Sequence, residues 1–192
     1  MSHKNIRLVK GERQEGMFFN KVRGVLGGIE MIVLGIDAAT KTGWSLYDSD
    51  NNKVVESGVQ DFSKKRGESN GLMFLRFRKW LFDLIVAARP GIICYEQSHH
   101  RGGAATEIGY GLTTRIQEAA TEHKIEYAPV RTTTLKKWAT GKGNADKDLM
   151  VAAAKVVLGR EPVSDDEADA VHVSRWGAEQ FAVKTHVARK EG

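Results

Sequence analysis

Four acids stand where an acid is costly to place. The apolar run Val33-Leu34-Gly35-Ile36 delivers Asp37, and Ile92-Ile93-Cys94-Tyr95 delivers Glu96. A carboxylate at the end of a buried strand loses hydration and must find a partner. Further on, "SDDEADAVHV" sets Asp166 and Asp169 three apart, so on a helix they share one face. If the strands ending in Asp37 and Glu96 lie side by side and parallel, both carboxylates emerge at one end of a sheet, where open α/β folds bind their ligands. Clustered carboxylates repel one another unless a cation is present, and an all-oxygen site suits Mg2+, with Mn2+ as a substitute, better than zinc. Two such ions can clamp a phosphodiester, one activating water and the other stabilising the leaving oxygen. The chemistry expected is therefore metal-dependent phosphodiester hydrolysis with two ions per site. Each acid alone has a plainer reading: Asp37 as a turn cap, Glu96 as a surface charge, and the acids of "DDEAD" as helix N-terminal residues. Their coincidence favours the site. His172, one turn after Asp169, reads as a structural helix residue rather than a ligand.

The elements that must position these acids follow from periodicity. Val33–Asp37, Gly43–Tyr47 and Val54–Phe62 read as three strands joined by short turns, "AATKT" and "DSDNNK", which imply antiparallel neighbours. Residues 70–89 carry apolar side chains at helical spacing, Leu72, Leu75, Phe82 and Ile85 among them, and Pro90-Gly91 stops that helix before the strand "IICYE". A helical crossover makes the fourth strand parallel to the first. A helix over 105–124, a strand over 125–130 and helices over 146–158 and 165–179 complete the order βββαβαβαα. The fold class expected is α/β, with a mixed five-stranded sheet of three antiparallel strands followed by two parallel ones, flanked by helices. With 192 residues and 41% hydrophobic content there is room for one such domain, expected over residues 31–180. Residues 1–30 lack a sustained period and read as an N-terminal extension. It is either disordered or upstream of a natural start at Met31, with a flexible basic arm touching DNA as the competing reading. Residues 181–192 read as a basic tail.

A net charge of +5 leans towards a polyanionic partner without settling it. The basic stretch "RTTTLKKWATGKGNADK" is more specific: Arg131, Lys136, Lys137, Lys142 and Lys147 lie between helices, with glycines that let backbone approach a phosphate. A solvated loop is the plain alternative. His99, His100 and Arg101 follow Glu96 closely and could stack on bases or touch phosphate, or form an ordinary polar loop. "GKGNADK" lacks the frame of a nucleotide-binding loop, so no nucleotide cofactor is expected. The single cysteine, Cys94, sits in an apolar run and reads as packing. No apolar run is long enough to cross a bilayer, and a cytoplasmic protein without membrane partners is expected.

Taken in order, "GIDAATKTGWSL", "YEQ", "LKKWATGKGNADK" and "DEADAVHV" resemble the motifs of the RuvC Holliday junction resolvases, particularly compact phage versions, from about Met31 to Trp176. The resemblance implies an RNase H-like fold in which Asp37, Glu96, Asp166 and Asp169 bind two divalent metals. Asp165 is a neighbouring candidate if the helix register shifts by one. It also implies that Lys136 and Lys147 lie near the scissile phosphate and junction backbone, Lys147 as part of the catalytic set, and that a homodimer nicks opposite strands of a four-way junction. A phage origin would place it in the host cytoplasm. Family members often carry an aromatic or apolar wedge after "EQ", whereas "EQSHHRGG" has none; that departure bears on junction selectivity and leaves the metal chemistry untouched. An RNase H-like nuclease for forks, flaps or structured RNA would use the same acids. The actin and sugar-kinase fold, which also opens on a "GID" strand, needs more length than this chain has. A non-catalytic DNA-binding module would require an acid to be missing, and all four are present.

Overall fold

The computed structural model describes residues 31–98 and 102–182. The expected N-terminal extension, most of the C-terminal tail, and His99, His100 and Arg101 lie outside the described residues.

Strands β1 (Ile32–Asp37), β2 (Lys41–Asp48) and β3 (Lys53–Asp61) form an antiparallel meander. The β2–β3 turn is held by Asp48, whose carboxylate accepts from the amides of Asp50 and Asn51 at 3.0 Å and from Asn51 Nδ2 at 2.8 Å. Helix α1 (Asn70–Ala88) starts at Ser69, which accepts from the Leu72 amide, and stops at Arg89 in the left-handed region just before Pro90. It returns the chain to β4 (Ile92–Glu96), parallel to β1. Helix α2 (Gly103–Glu122) then leads to β5 (Glu126–Val130), parallel to β4. The sheet order β3-β2-β1-β4-β5 is the mixed arrangement expected.

Three helices follow: α3 (Thr132–Thr140), α4 (Lys147–Leu158) and α5 (Asp165–Gly177), the last running into a π-helical turn over Ala178–Ala182. Helix α3 is a departure from the loop-like reading of this stretch. Its opening run of β-branched threonines has weak helical preference, and it carries only one buried residue, Leu135, so tertiary docking rather than propensity holds it. Leu72 and Leu75 also differ from expectation: they are 51% and 63% exposed, while α1 buries Met73, Phe77, Trp80, Leu81, Leu84 and Ile85 instead. Among the described residues no helix is long and apolar enough to cross a membrane.

Strand alternation sorts the sheet into two faces. Ile32, Leu34, Ile36, Ile93 and Tyr95 pack with α1 and α2 in the larger core. Val33, Ile92 and Cys94 point to the other face, with Leu135 of α3 and Val173 of α5. By the same alternation Asp37, two residues after Gly35, and Glu96, two after Cys94, belong to the α5 face. Helix α5 comes unusually close to that face. A Cβ at Gly35 would overlap the Ser174 amide and the Ala170 carbonyl, and one at Gly43 would overlap the carbonyl of Asp166. The contact is backbone against backbone, so neither side can yield by a rotamer change.

Gly43→Ala should therefore displace α5 and cost about 3 kcal/mol or more, as overpacking a rigid contact does. Gly58→Ala, whose new Cβ would meet only the Trp44 ring at 3.4 Å, should cost under about 1 kcal/mol. Urea denaturation of the two variants beside the parent measures the difference; equal losses would show that α5 can shift freely.

Candidate active site

Asp37 ends β1 opposite Gly43 of β2, and the pairing of Ile36 with Tyr95 brings Glu96 alongside it on the neighbouring strand. Helix α5 lies across the same face with its N-terminus over Gly43, and Ser164 caps that end by accepting from the Glu167 amide at 3.3 Å. Asp165, Asp166 and Asp169 thus join Asp37 and Glu96 in lining one cleft of about 410 Å3 at the end of the sheet. The rest of the wall includes Ala38, Ser98, Gly109, Thr132, Lys136 and Lys147.

The cleft is electrostatically unbalanced. Burial, and then the negative charges of Glu96, Asp169, Asp166 and Asp165, push the Asp37 carboxyl well above the usual carboxylate range. Burial, with Glu96 and Asp165 adding to it, raises Asp169 to about 7 against a pull from Lys136. Asp166 is raised as well, by burial and Asp165, although the Ser164 hydroxyl donates to it at 3.4 Å. Asp165 goes the other way: it pairs with the Lys147 ammonium, which holds its carboxyl low. The two candidates in "DDEAD" are therefore in different situations, Asp166 poorly compensated and Asp165 neutralised.

The donors are oxygens, as hard divalent cations require, and the raised carboxyls are those that a cation would relieve. This chemistry fits a metal. The side chains do not converge unaided, since among the described residues no three His, Cys, Asp or Glu groups stand close enough to hold an ion.

Of the expected basic residues, Lys136 and Lys147 line the cleft. Lys136 Nζ donates to the Ala145 carbonyl at 2.6 Å, which ties α3 to the segment leading into α4. Lys137 lies on the other side of α3, in a shallow depression with Trp138 and Gly143. Arg131 and Lys142 are exposed outside the cleft wall. His172 is buried on α5, where Nε2–H donates to the Met150 carbonyl of α4 at 2.9 Å. Burial lowers its basicity, so it acts as a neutral strut between helices.

Several positioning groups escape sequence reading. Thr132 donates its hydroxyl to Glu96, and Ser98 pairs with Thr113 of α2 at 2.9 Å; nothing in the sequence marks either. Glu167 had a signal, the Ser164-x-x-Glu167 spacing of a helix start. It is fully buried, yet Arg160 at 2.6 Å, Ser57 at 2.6 Å and the Val163 amide at 2.6 Å outweigh that burial and keep its carboxyl low. This clamp fixes α5 where it faces β2 and β3, while the helix presents Asp166 and Asp169 to the cleft.

No family model matches the chain. The crossover junction endodeoxyribonuclease RuvC of Brachyspira hyodysenteriae is 28% identical over 148 residues, which is 75% of this chain and 91% of that protein. The Rickettsia africae protein of the same name is 27% identical over 150 residues, with 75% and 94% covered. Among solved structures, Thermus thermophilus RuvC in complex with a Holliday junction substrate superimposes with a TM-score of 0.68 at 18% identity, covering 82% of this chain and 97% of that one.

A raised carboxyl pKa means that the folded state binds a proton the unfolded state has released, so stability falls as pH rises from about 4 to about 7. Without divalent cations the protein should melt several degrees lower at pH 8 than at pH 5.5. Asp169→Asn should raise the melting temperature at pH 8 and flatten this dependence. Calorimetry in EDTA provides the check, and a variant no more stable than the parent would deny that the cleft is strained by charge.

Proposed function

We propose that this chain, which belongs to the RuvC family, is a structure-selective endonuclease that resolves four-way DNA junctions by hydrolysing paired phosphodiesters in opposing strands. The observation that carries the reading is the meeting of Asp37, Glu96, Asp166 and Asp169 in one cleft at the sheet end, with Lys136 and Lys147 on its wall. The nuclease unit is residues 31–180, with the segments on either side as appendages. Two copies act together in the cytoplasm, one on each strand.

Bound Mg2+, two ions per site with Mn2+ as a substitute, would activate a water for attack and stabilise the leaving oxygen. Asp37 and Glu96 would hold them from the sheet, and Asp166 and Asp169 from α5. Thr132 keeps the Glu96 carboxylate turned into the cleft. Asp165 serves as the counter-ion that positions Lys147 rather than as a ligand. The two lysines meet the phosphate: Lys136, tied to the Ala145 carbonyl, is held in place, while Lys147 is 81% exposed and can swing from Asp165 to the substrate. Both supply positive charge where negative charge grows in the transition state.

The test is a labelled four-way junction, a Y-fork and matched linear duplex, each with Mg2+ or EDTA. Paired, metal-dependent nicks are expected in the junction alone. Asp37→Asn should still bind it but cut about 10^3-fold more slowly or worse, because it removes a ligand charge worth several kcal/mol. Equal cutting of the fork would reduce the reading to a general nuclease for branched DNA or structured RNA, and no cutting by folded protein would leave a DNA-binding module.

Lys147→Ala should slow cutting about 10^2-fold, the usual cost of one transition-state donor, while lowering the melting temperature only slightly, as loss of one exposed ion pair does. Loss of folding instead would assign the residue a structural role.

A further inference from the structure

The segment Ser63–Glu68, "SKKRGE", joins β3 to α1. Strands β1 and β3 both run antiparallel to β2, so this loop emerges at the same sheet end as Asp37. Its shape is held from within. The Ser63 amide donates to Asp61 Oδ1 at 2.7 Å, and the Lys65 amide to Glu68 Oε2 at 2.7 Å. Arg76 of α1 reaches the carbonyls of Phe62 and Ser63 at 3.1 and 3.2 Å and grips Glu68 at 2.8 Å. These bonds engage the loop's acids and leave its three cations, Lys64, Lys65 and Arg66, exposed. None of the three forms an ion pair among the described residues; Lys64 Nζ donates to the neutral side chain of Asn70 at 2.8 Å. A fourth exposed cation, Lys41, starts β2 directly across from Asp61.

The loop is also joined to the cleft. The Phe62 amide donates to the Thr40 carbonyl at 2.7 Å, next to the wall residues Ala38 and Ala39. Asn70 Nδ2 donates to Glu107 at 3.0 Å on α2, whose Ala105 and Gly109 form another part of that wall. Two strand spacings, roughly 10 Å, separate β3 from β1. Phosphates of one strand recur about every 3.4 Å along the axis of a duplex, so that distance, measured along the axis of an arm, is about three nucleotides.

We propose that Lys64, Lys65 and Arg66, with Lys41, form a second phosphate-binding rim that holds the backbone of a DNA arm about three nucleotides from the phosphodiester in the cleft. The proposal rests on the nuclease reading above. Such contacts fix register and orientation without reading bases, so the rim sets affinity and leaves the cutting chemistry to the acids.

The test uses the full chain and compares K64Q/K65Q/R66Q with K53Q/R89Q/K124Q. The second variant removes the same charge from exposed residues at the opposite end of the sheet. Binding to a four-way junction is titrated against salt. Each lost phosphate contact lowers the slope of log K against log salt by about 0.9, so the loop variant should lose between about one and three in slope and at least about tenfold in affinity at low salt. The distal variant should behave as the parent throughout. An unchanged slope in the loop variant, or an equal loss in both variants, would overturn the rim. If the parent neither binds nor cuts junctions, the nuclease reading fails first; the same titration on linear duplex then still decides whether the loop contacts phosphate, and no binding to any DNA removes both.

Discussion

The arrangement of this protein depends on one close approach, that of α5 to the first two strands. Gly35 and Gly43 leave no side chain between helix and sheet, so the Asp166 carbonyl rests on the backbone at Gly43. Where the helix faces β2 and β3, Arg160 and Ser57 clamp Glu167, and the buried hydroxyls of Ser174 and Ser45 meet at 3.0 Å. Further along, a Cβ at Gly177 would strike the Cys94 sulfur, so the helix is docked over its full length. This matters because carboxylates on three separate elements must share one space to about half an ångström if they are to serve common ions.

That docking forces like charges together, and the rest of the molecule must absorb the cost. The Asp37 carboxyl is raised by burial and by four acidic neighbours. The compensation is spatially separate. On the opposite face of the sheet, Phe62, Phe77 and Trp80 pack with ring centroids 5.2 to 5.8 Å apart, within a core that takes in α1 and α2. Aromatic pairs of this kind add about 0.5 to 1.5 kcal/mol each beyond their buried area. A sheet whose two faces are so divided can hold a strained cleft on one side because the other side does not depend on it.

The division between what could and could not be read in the sequence follows the range of the interactions. Asp37 and Glu96 were legible because alternation along a strand and the polarity of a crossover are local rules, and Asp166 and Asp169 because helical spacing is. The extent of β1 to β5 followed from the same rules to within two residues at most ends. Helix α3 was not legible, since its threonines argue against a helix and its support comes from docking beside β5. Leu72 and Leu75 misled for a related reason: apolar spacing marks a stripe, but the core chose the neighbouring stripe through Phe77 and Trp80. Thr132, reaching 36 positions back to Glu96, belongs to a class of contact that no spacing rule reaches. The separation of Asp165 from Asp166 also needed three dimensions, because only the placement of Lys147 on α4 decides which of two adjacent carboxylates is neutralised.

A nuclease cleft built from acids faces a contradiction, since the polyanion it must cut is repelled by the groups that would cut it. At about 4 Å, two unit charges interact by ~1 kcal/mol in water and by several times that in a partly buried site, so five carboxylates could not admit a phosphate unaided. The sign of the cleft must be reversed locally by cations that the acids themselves bind. Its surroundings must already be positive for the strand to arrive. The chain's modest excess of +5 is enough for this because of where the charge lies. The carboxylates occupy the middle of the sheet end, on β1, β4 and the start of α5, while Lys136 stands on α3 just after β5, Lys147 pairs with Asp165 at the start of α5, and Lys41 stands towards the β3 edge. Such a field draws a strand across the cleft from both sides and becomes attractive at its centre only once metal is bound. Ordered in this way, backbone binding comes first and hydrolysis follows only where the strand lies across the acids.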